Sequence, residues 1–485
     1  MPRPRLSNAD RVAGRLLEGA FAVHHRRRLR RLGHATSIDP PDDGPWAAGD
    51  PPPRPGNSLE ILVDGAHALG EIARAIRGAR RHVHIAGWSI TPHFALTRDE
   101  PPVVLRELLA DTAERVPVRV LMWAGAPPHT FAPDRATASA ARDALTRGTK
   151  VRAACDARSR LLHCHHEKLV IVDDEVAFVG GIDLTLLGGD RWDTNAHPAR
   201  GRLGWHDASS LLRGPAVADV AAHFAGRWSE VTGEPLAAQP AAASPAGGVD
   251  LQVVRTVPER QYDFIPKGDF RIIEAYVRAV RSAERLVYLE SQFLWAPEIV
   301  GVLAAKLSAP PRDDFRVVVV LPSRANNGQE DTRGQIAVLV DADAAGGGSR
   351  FLAATISSRT GRTVDRLYVH AKIGIVDDRW LTIGSANLNA HSFFNDSEMN
   401  VVTCDPGLAR DTRLRLWAEH LGRDVSAVAG DPAAVVDELW RPTAFEQLER
   451  VRHGDVRTHR LIALPPASRR VDRVLAPLDA VVVDG

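Results

Sequence analysis

The sequence predicts an α/β protein of two duplicated α-β-α sandwich domains with mixed sheets, related by a pseudo-twofold axis and sharing one active site. Three observations predict it. Apolar helix patterns alternate with apolar strand runs. The alternation recurs at a constant offset of 204 residues. The same offset links two short segments rich in chemically active side chains. In the first copy a helix pattern (Leu69, Ile72, Ala73, Ile76) runs into a strand over Val83–Ile90. Its counterpart (Ile273, Tyr276, Val277, Val280) runs into Val287–Phe293, and Ile76–Val83 aligns without gaps on Val280–Val287. Second strands, Val118–Trp123 and Phe315–Leu321, follow at a slightly different offset, as loop insertions produce. A repeat of this length is a duplicated structural unit.

The duplication divides the chain into an N-terminal arm (1–57), a first domain (58–232), a linker (233–248), a second domain (249–424) and a C-terminal region (425–485). Within the arm, Val12, Leu16, Ala20 and Phe21 predict a helix from about Asn8 to Leu32, with Gly33 as its stop. Arg26, Arg27, Arg28, Arg30 and Arg31 read as a solvated helix end whose charge suits the macrodipole. The sharper alternative is a patch for anionic lipid headgroups. Asp39–Pro55 is rich in Pro, Gly and Asp and reads as irregular, and the Ala/Pro/Gly-rich run Gly233–Gly248 reads as the linker. After Val425, one or two helices are expected over Pro432–Val451, then an irregular tail.

Composition narrows the function. The 485 residues hold 61 Lys+Arg against 60 Asp+Glu, a net charge of +1, which argues against wholesale nucleic-acid binding. Only five basic residues are lysine: Lys150, Lys168, Lys267, Lys306 and Lys372. Three cysteines cannot make a disulfide framework. No apolar run reaches membrane-spanning length and no secretory leader is evident, so a cytoplasmic protein, or one peripheral at the membrane, is expected.

The chemistry lies in the repeated segments. One reads His165-His166-Glu167-Lys168-Leu-Val-Ile-Val-Asp173-Asp174 and continues to Gly180-Gly181-Ile182-Asp183. The other reads Val369-His370-Ala371-Lys372-Ile-Gly-Ile-Val-Asp377-Asp378 and continues to Gly384-Ser385-Ala386-Asn387. Each predicts a hairpin turning at an Asp pair. His and Lys at i and i+2 share one strand face, whereas Asp173 and Asp377, at i+7, face away and serve as structural braces. An imidazole beside an ammonium suits an anion, and two such pairs merge into one site if the copies pack about a twofold. Ser385 and Asn387 would add neutral donors to the same anion. The run His163-Cys164-His165-His166 resembles a metal cluster, but neighbours on a strand point to opposite faces, so zinc is not expected.

A doubled HxKxxxxD followed by Gly-Gly or Gly-Ser resembles the phospholipase D superfamily. Arg191–Thr194, Trp205–Asp207, Tyr288–Phe293 and Arg366–His370 are similar to segments flanking these motifs in two-domain phospholipases D, and the resemblance runs from about Ser58 to Glu419. It implies a bacterial member resembling the eukaryotic-type branch, with a phosphohistidine mechanism. His166 would attack phosphorus and His370 would act as acid and base, while Lys168, Lys372 and Asn387 hold the phosphoryl oxygens. Carboxylates downstream of each motif, Asp193 and Glu398, would orient each motif's own His. They lie 27 residues after His166 and 28 after His370. No metal or other cofactor is implied. Asp183, where the second copy has Asn387, would repel a phosphate and is not expected to bind it.

The resemblance implies a phospholipid substrate, hydrolysed or transphosphatidylated at the headgroup phosphodiester. A cardiolipin-synthase-like phosphatidyltransferase is the alternative, and a nuclease is disfavoured by the charge balance. Peripheral membrane contact, no nucleic acid and a monomeric state are the partner expectations. Trp88, Trp123 and Trp295, at predicted strand ends, suit either lipid contact or rim packing.

Overall fold

A computed structural model describes residues 8–127, 132–160, 163–237, 244–324 and 329–466. Its centre is one continuous sheet. In chain order the strands are β1 (Arg54–Val63), β2 (Val83–Gly87), β3 (Val118–Trp123), β4 (Arg152–Asp156), β5 (Leu169–Val172), β6 (Val176–Gly180), β7 (Gly204–His206) and β8 (Ala208–Arg213). The second half contributes β9 (Val249–Val257), β10 (Asp269–Phe270), β11 (Leu286–Glu290), β12 (Arg316–Val320), β13 (Phe351–Thr355), β14 (Ser357–Thr360) and β15 (Thr363–Val369). It ends with β16 (Ile373–Val376), β17 (Trp380–Gly384), β18 (Glu398–Thr403) and β19 (Ile462–Ala463).

The central sheet has the order β19-β13-β12-β11-β16-β17-β18-β9-β1-β8-β6-β5-β2-β3-β4, with β10 paired to β9, and β14-β15-β7 form a separate three-stranded sheet. Read outward from the β1–β9 junction, the two sides repeat each other over seven strands, with β19 added at one edge, so the duplication is visible as a pseudo-twofold through that junction. On each side the outer strands pair in parallel and the inner ones antiparallel, giving the mixed sheet expected from helix–strand alternation. Every residue of β2, β5, β6, β11, β16 and β17 is buried because helices cover both faces. One apolar layer runs through both halves beneath the helices Val217–Thr232 and Pro406–Leu421. Separate layers fill the opposite face of each half, around Ile72 and Leu109 in the first and Ile273 and Leu303 in the second.

The turns of both hairpins explain their Asp pairs. Asp173 and Asp174 have φ of 60° and 54°, Asp377 and Asp378 of 53° and 52°. Each loop holds three residues between paired strand ends, its tight turn closed by the Glu175 N–H on the Val172 carbonyl or the Arg379 N–H on that of Val376. Asp tolerates the positive φ of the two central positions better than most side chains. The first Asp of each pair then accepts neighbouring backbone N–H groups: Arg80, Arg81 and His82 donate to Asp173, and Glu284, Arg285 and Leu286 to Asp377. These are the structural braces the alternation predicted.

The N-terminal helix spans Asn8–Leu32, as the periodicity predicted. Its basic end is not wholly solvated. Arg28 is buried, paired with Glu259 and donating to Asn395 Oδ1 and the Phe394 carbonyl, whereas Arg26, Arg27, Arg30 and Arg31 are exposed. The irregular segment after it docks on the second half, where Arg278 donates to the Pro41 and Gly44 carbonyls and Gln252 to that of Ala47. The predicted strands Val83–Ile90 and Val287–Phe293 end earlier, at Gly87 and Glu290. The C-terminal helical region runs from Pro432 to His453. Part of the expected linker (238–243) and the tail beyond 466 lie outside the described residues. Among those residues no helix is long and apolar enough to cross a membrane.

Candidate active site

The two repeated motifs meet where the halves cross. His166 and Lys168 lie in the extended segment entering β5, and His370 and Lys372 in the one entering β16. Each ammonium turns back onto its own histidine's carbonyl, Lys168 Nζ to His166 O at 2.5 Å and Lys372 Nζ to His370 O. The backbone then ties each motif to the opposite half. The N–H groups of His166 and Glu167 donate to the Ser397 carbonyl at 2.9 and 3.0 Å. Those of His370 and Ala371 donate to the His206 carbonyl at 2.8 and 3.1 Å. Parallel pairing of β15 with β7, Val369 opposite His206, continues the second of these seams.

Ser397 and His206 each precede a carboxylate, and that carboxylate holds the incoming ring. His166 Nδ1 donates to Glu398 Oε1 at 3.0 Å, and His370 Nδ1 donates to Asp207 Oδ2 at 2.7 Å. A ring that donates from Nδ1 keeps a lone pair on Nε2, the tautomer a nucleophile or base requires. The carboxylates therefore cross between halves, which corrects the expectation that each orients its own motif's histidine. Glu398 serves His166, not His370. Asp193 serves neither: its Oδ1 caps the Thr194 N–H at 2.8 Å and lies 3.3 Å from Arg200, and its Oδ2 lies 3.7 Å from His197. Asp207 has its place. Sequence spacing misled because Asp207 follows His166 by 41 residues while Glu398 follows His370 by 28, the first half carrying a longer loop. The usable signals were the Trp205-His206-Asp207 segment and its position directly before β8, as Glu398 opens β18.

Ser385 also departs from expectation. Its hydroxyl donates to Glu398 and accepts from the Met399 N–H, so its one proton serves the carboxylate and not an incoming anion. Ser392 Oγ donates to the other oxygen of Glu398 at 2.6 Å. The first half has Gly181 in place of Ser385, for a steric reason: a Cβ at Gly181 would stand 2.2 Å from Asp207 Oδ1. Asp207 stands close against the backbone at 181, where the glutamate of the second half leaves room for a serine. Asn387 is buried, its N–H donating to Ser392 Oγ and its side-chain amide facing Gln292 Oε1 at 3.4 Å. Asp183 pairs with Lys168 at 3.0 Å and accepts the Trp88 N–H, so it stands as the counter-ion of that ammonium.

Burial dominates the electrostatics. It pushes Glu398 up to about 8 against the opposing pull of Lys168 and the Ser385 and Ser392 hydroxyls, and it raises Asp207 against Lys372 and Arg191. His370 is held well below the usual range by burial, then by Lys372, Arg191, Lys168 and His166. Charges from both halves thus act on one imidazole. A buried, cation-rich site of this kind suits an anion. Arg191 stacks on Trp205, 4.1 Å from the ring centroid, and Trp205 packs edge-on to His370. Neither residue was singled out chemically in the sequence, although both lie in its flanking segments.

Beside His166, Trp88 stands edge-on at 6.5 Å and stacks with Trp123. Both, with Ile90, Met122, Leu186 and Leu187, line an apolar cavity of about 480 Å³. The run His163–His166 does not converge on one point: His163 faces His391 and Asp396, His165 faces Asp156, and His166 faces Glu398.

Comparison with known proteins agrees with this geometry. Residues 75–204 match the family model described as Phospholipase D, and residues 278–417 the one described as Cardiolipin synthase, PLD-like domain. Phospholipase D A of Dictyostelium discoideum is 25% identical over 460 residues, covering 76% of this chain and 36% of that protein. Phospholipase D1 of Schizosaccharomyces pombe is 24% identical, covering 82% of this chain and 38% of that protein. The chain thus spans little more than a third of the length of these two relatives. The crystal structure of phosphatidylserine synthase from Haemophilus influenzae Rd KW20 shares the fold, with a TM-score of 0.51 at 12% identity over 82% of this chain and 93% of that one. The doubled motif, the crossed halves and both family matches have one common explanation: the chain belongs to the phospholipase D superfamily.

Proposed function

We propose that the protein cleaves the headgroup phosphodiester of glycerophospholipids, passing the phosphatidyl group through a phosphohistidine to water or to an alcohol. The observation that carries this reading is the pair of carboxylate-held histidines, flanked by Lys168 and Lys372, beside an apolar cavity that suits an acyl chain. His166 Nε2 attacks phosphorus, the bond to the headgroup oxygen breaks, and His370 gives that oxygen its proton. Neutral His370 then takes a proton from water or an acceptor alcohol, whose oxygen attacks phosphorus and frees His166. Lys168 and Lys372 offset the phosphoryl charge throughout. The bound phosphodiester anion restores the proton affinity that burial and cations remove from His370.

One observation favours the reverse assignment. An imidazole held well below its usual range is already the free base that a nucleophile needs, and His370 is that imidazole. Transfer over hydrolysis draws support from the second half's match to the model described as Cardiolipin synthase, PLD-like domain. Exposed Arg26, Arg27, Arg30 and Arg31 suit a peripheral contact with anionic lipid.

Phosphatidylcholine vesicles test the reading, with choline and phosphatidic acid measured in the absence and presence of glycerol. Choline release that falls when long acyl chains are replaced by short ones supports it. Phosphatidylglycerol formed at the expense of phosphatidic acid identifies transfer. Cleavage of single-stranded DNA with no choline release sinks it.

A further inference from the structure

Beside Asp207, where β7 ends, four side chains from both halves converge. Asp64 ends β1's run, His197 and His206 lie between β6 and β8, and Glu419 lies in the last turn of the helix Pro406–Leu421. One donor atom from each falls within 4.8 Å of all the others. His206 Nδ1 is 3.1 Å from Asp64 Oδ1 and 3.3 Å from Glu419 Oε1. His197 Nε2 is 3.1 Å from Glu419 Oε1 and 3.4 Å from Asp64 Oδ2. Each nitrogen thus stands between two carboxylate oxygens, although a single N–H can point at only one. Asp64 Oδ2 has no hydrogen-bond partner, and the Asp64 side chain is 1% exposed.

These nitrogen–oxygen separations lie close to the roughly 3.3–3.4 Å that bonds of about 2.0–2.1 Å set between ligand atoms on a tetrahedral ion. Outer partners are present too. His206 Nε2 pairs with Glu290 Oε2 at 2.8 Å, and Glu290 also holds His420 Nε2 at 3.0 Å. On the far side of His197, Nδ1 faces Asp193 Oδ2 at 3.7 Å. A carboxylate bonded to the second nitrogen is the usual support of a metal-bound histidine, and His206 has it, whereas Asp193 stands beyond hydrogen-bond reach of His197.

We infer that Asp64, His197, His206 and Glu419 bind one divalent transition-metal ion, with zinc the best match to two nitrogens and two oxygens. Calcium and magnesium prefer all-oxygen shells, and the buried position leaves no open site for catalysis. Two carboxylates neutralise the ion, and both imidazoles bind it as neutral bases. The ion joins β1 and the His206 strand of the first half to the last helix of the second. His206 and Asp207 are adjacent, so it also fixes the segment that receives His370. This site is independent of the phospholipid reading.

Metal analysis of the full chain, purified without chelators or metal-affinity resin, tests it. Zinc is expected at one equivalent per chain, lost in His197→Ala and Asp64→Asn and retained in His163→Ala, which removes the separate His163–His391–Asp396 group. Cobalt exchanged into the wild-type protein is expected to give the intense visible bands of a tetrahedral N/O site, a readout that stands even if the variants fail to fold. Metal-free wild-type protein that takes up neither zinc nor cobalt and whose thermal midpoint zinc does not move overturns the inference. Zinc that survives Asp64→Asn and His197→Ala but disappears in His163→Ala also overturns it.

Discussion

Glu398, in the second half of the chain, holds the ring of His166 from the first, Oε1 to Nδ1 at 3.0 Å, and Asp207 of the first half holds His370 of the second at 2.7 Å. Each motif histidine, His166 and His370, takes its carboxylate from the other half. Glu398→Gln and Asp207→Asn are therefore each expected to lower kcat about 10²–10⁴-fold, the usual scale of a positioned acid–base group. Asp193→Asn, whose carboxylate touches neither His166 nor His370, should have a much smaller effect on kcat. Steady-state kinetics of the three variants, with folding checked by circular dichroism, decide it.

Lys168 and Lys372 keep lysine in a chain that otherwise uses arginine almost throughout. Both ammoniums are buried and bonded to their own histidine's carbonyl two residues back. A guanidinium is larger, planar and differently directed, so it cannot reproduce that turn. Lys168→Arg and Lys372→Arg should each lose most activity while melting within a few degrees of the wild type, as measured by vesicle assay and thermal denaturation.

Asp173 and Asp377 are predicted to act on stability, not on chemistry. Each carboxylate accepts three backbone N–H groups and sits at a hairpin turn of positive φ. Asp173→Ala or Asp377→Ala leaves those donors unpaired and should cost about 2–4 kcal/mol in denaturant unfolding. Activity per folded molecule should stay near the wild-type value.

His84 gives a pH dependence with a definite sign. Its ring stacks between His82 and Phe224, and burial, then His82 and Arg119, lower its pKa to about 3. The unfolded chain binds the proton more readily, so stability is complete above about 6.5 and declines as pH falls toward 3, at up to about 1.4 kcal/mol per pH unit. Replacing the imidazole with an apolar ring, His84→Phe, should flatten that acid limb in unfolding measured from pH 7 to 4.

The fold was legible because the duplication is written in apolar spacing: a constant offset of 204 carried helix, strand and hairpin from one half to the other. The Asp pairs announced their turns for the same local reason. The partners of the histidines were not legible by counting, because a crossed pairing depends on how two halves pack and the loop before Asp207 is longer than its counterpart. Ser385 looked like an anion donor from its motif position, but only the packed structure shows Glu398 beside its hydroxyl. The Asp64–His197–His206–Glu419 group was invisible for a related reason: its members are scattered over some 350 residues and gathered by tertiary contact.

If His166 and His370 serve one site in distinct roles, the covalent intermediate can be trapped on one of them. A phosphatidyl ester of p-nitrophenol leaves without an acid, so His370→Ala should release a burst of one p-nitrophenolate per chain and then stall. Mass spectrometry should then find the phosphatidyl group on the peptide carrying His166. An adduct on His370 in the His166→Ala variant instead would exchange the two roles and keep the shared site. Undiminished turnover by the His166→Ala/His370→Ala double variant, with no adduct in any form of the protein, would contradict that shared site.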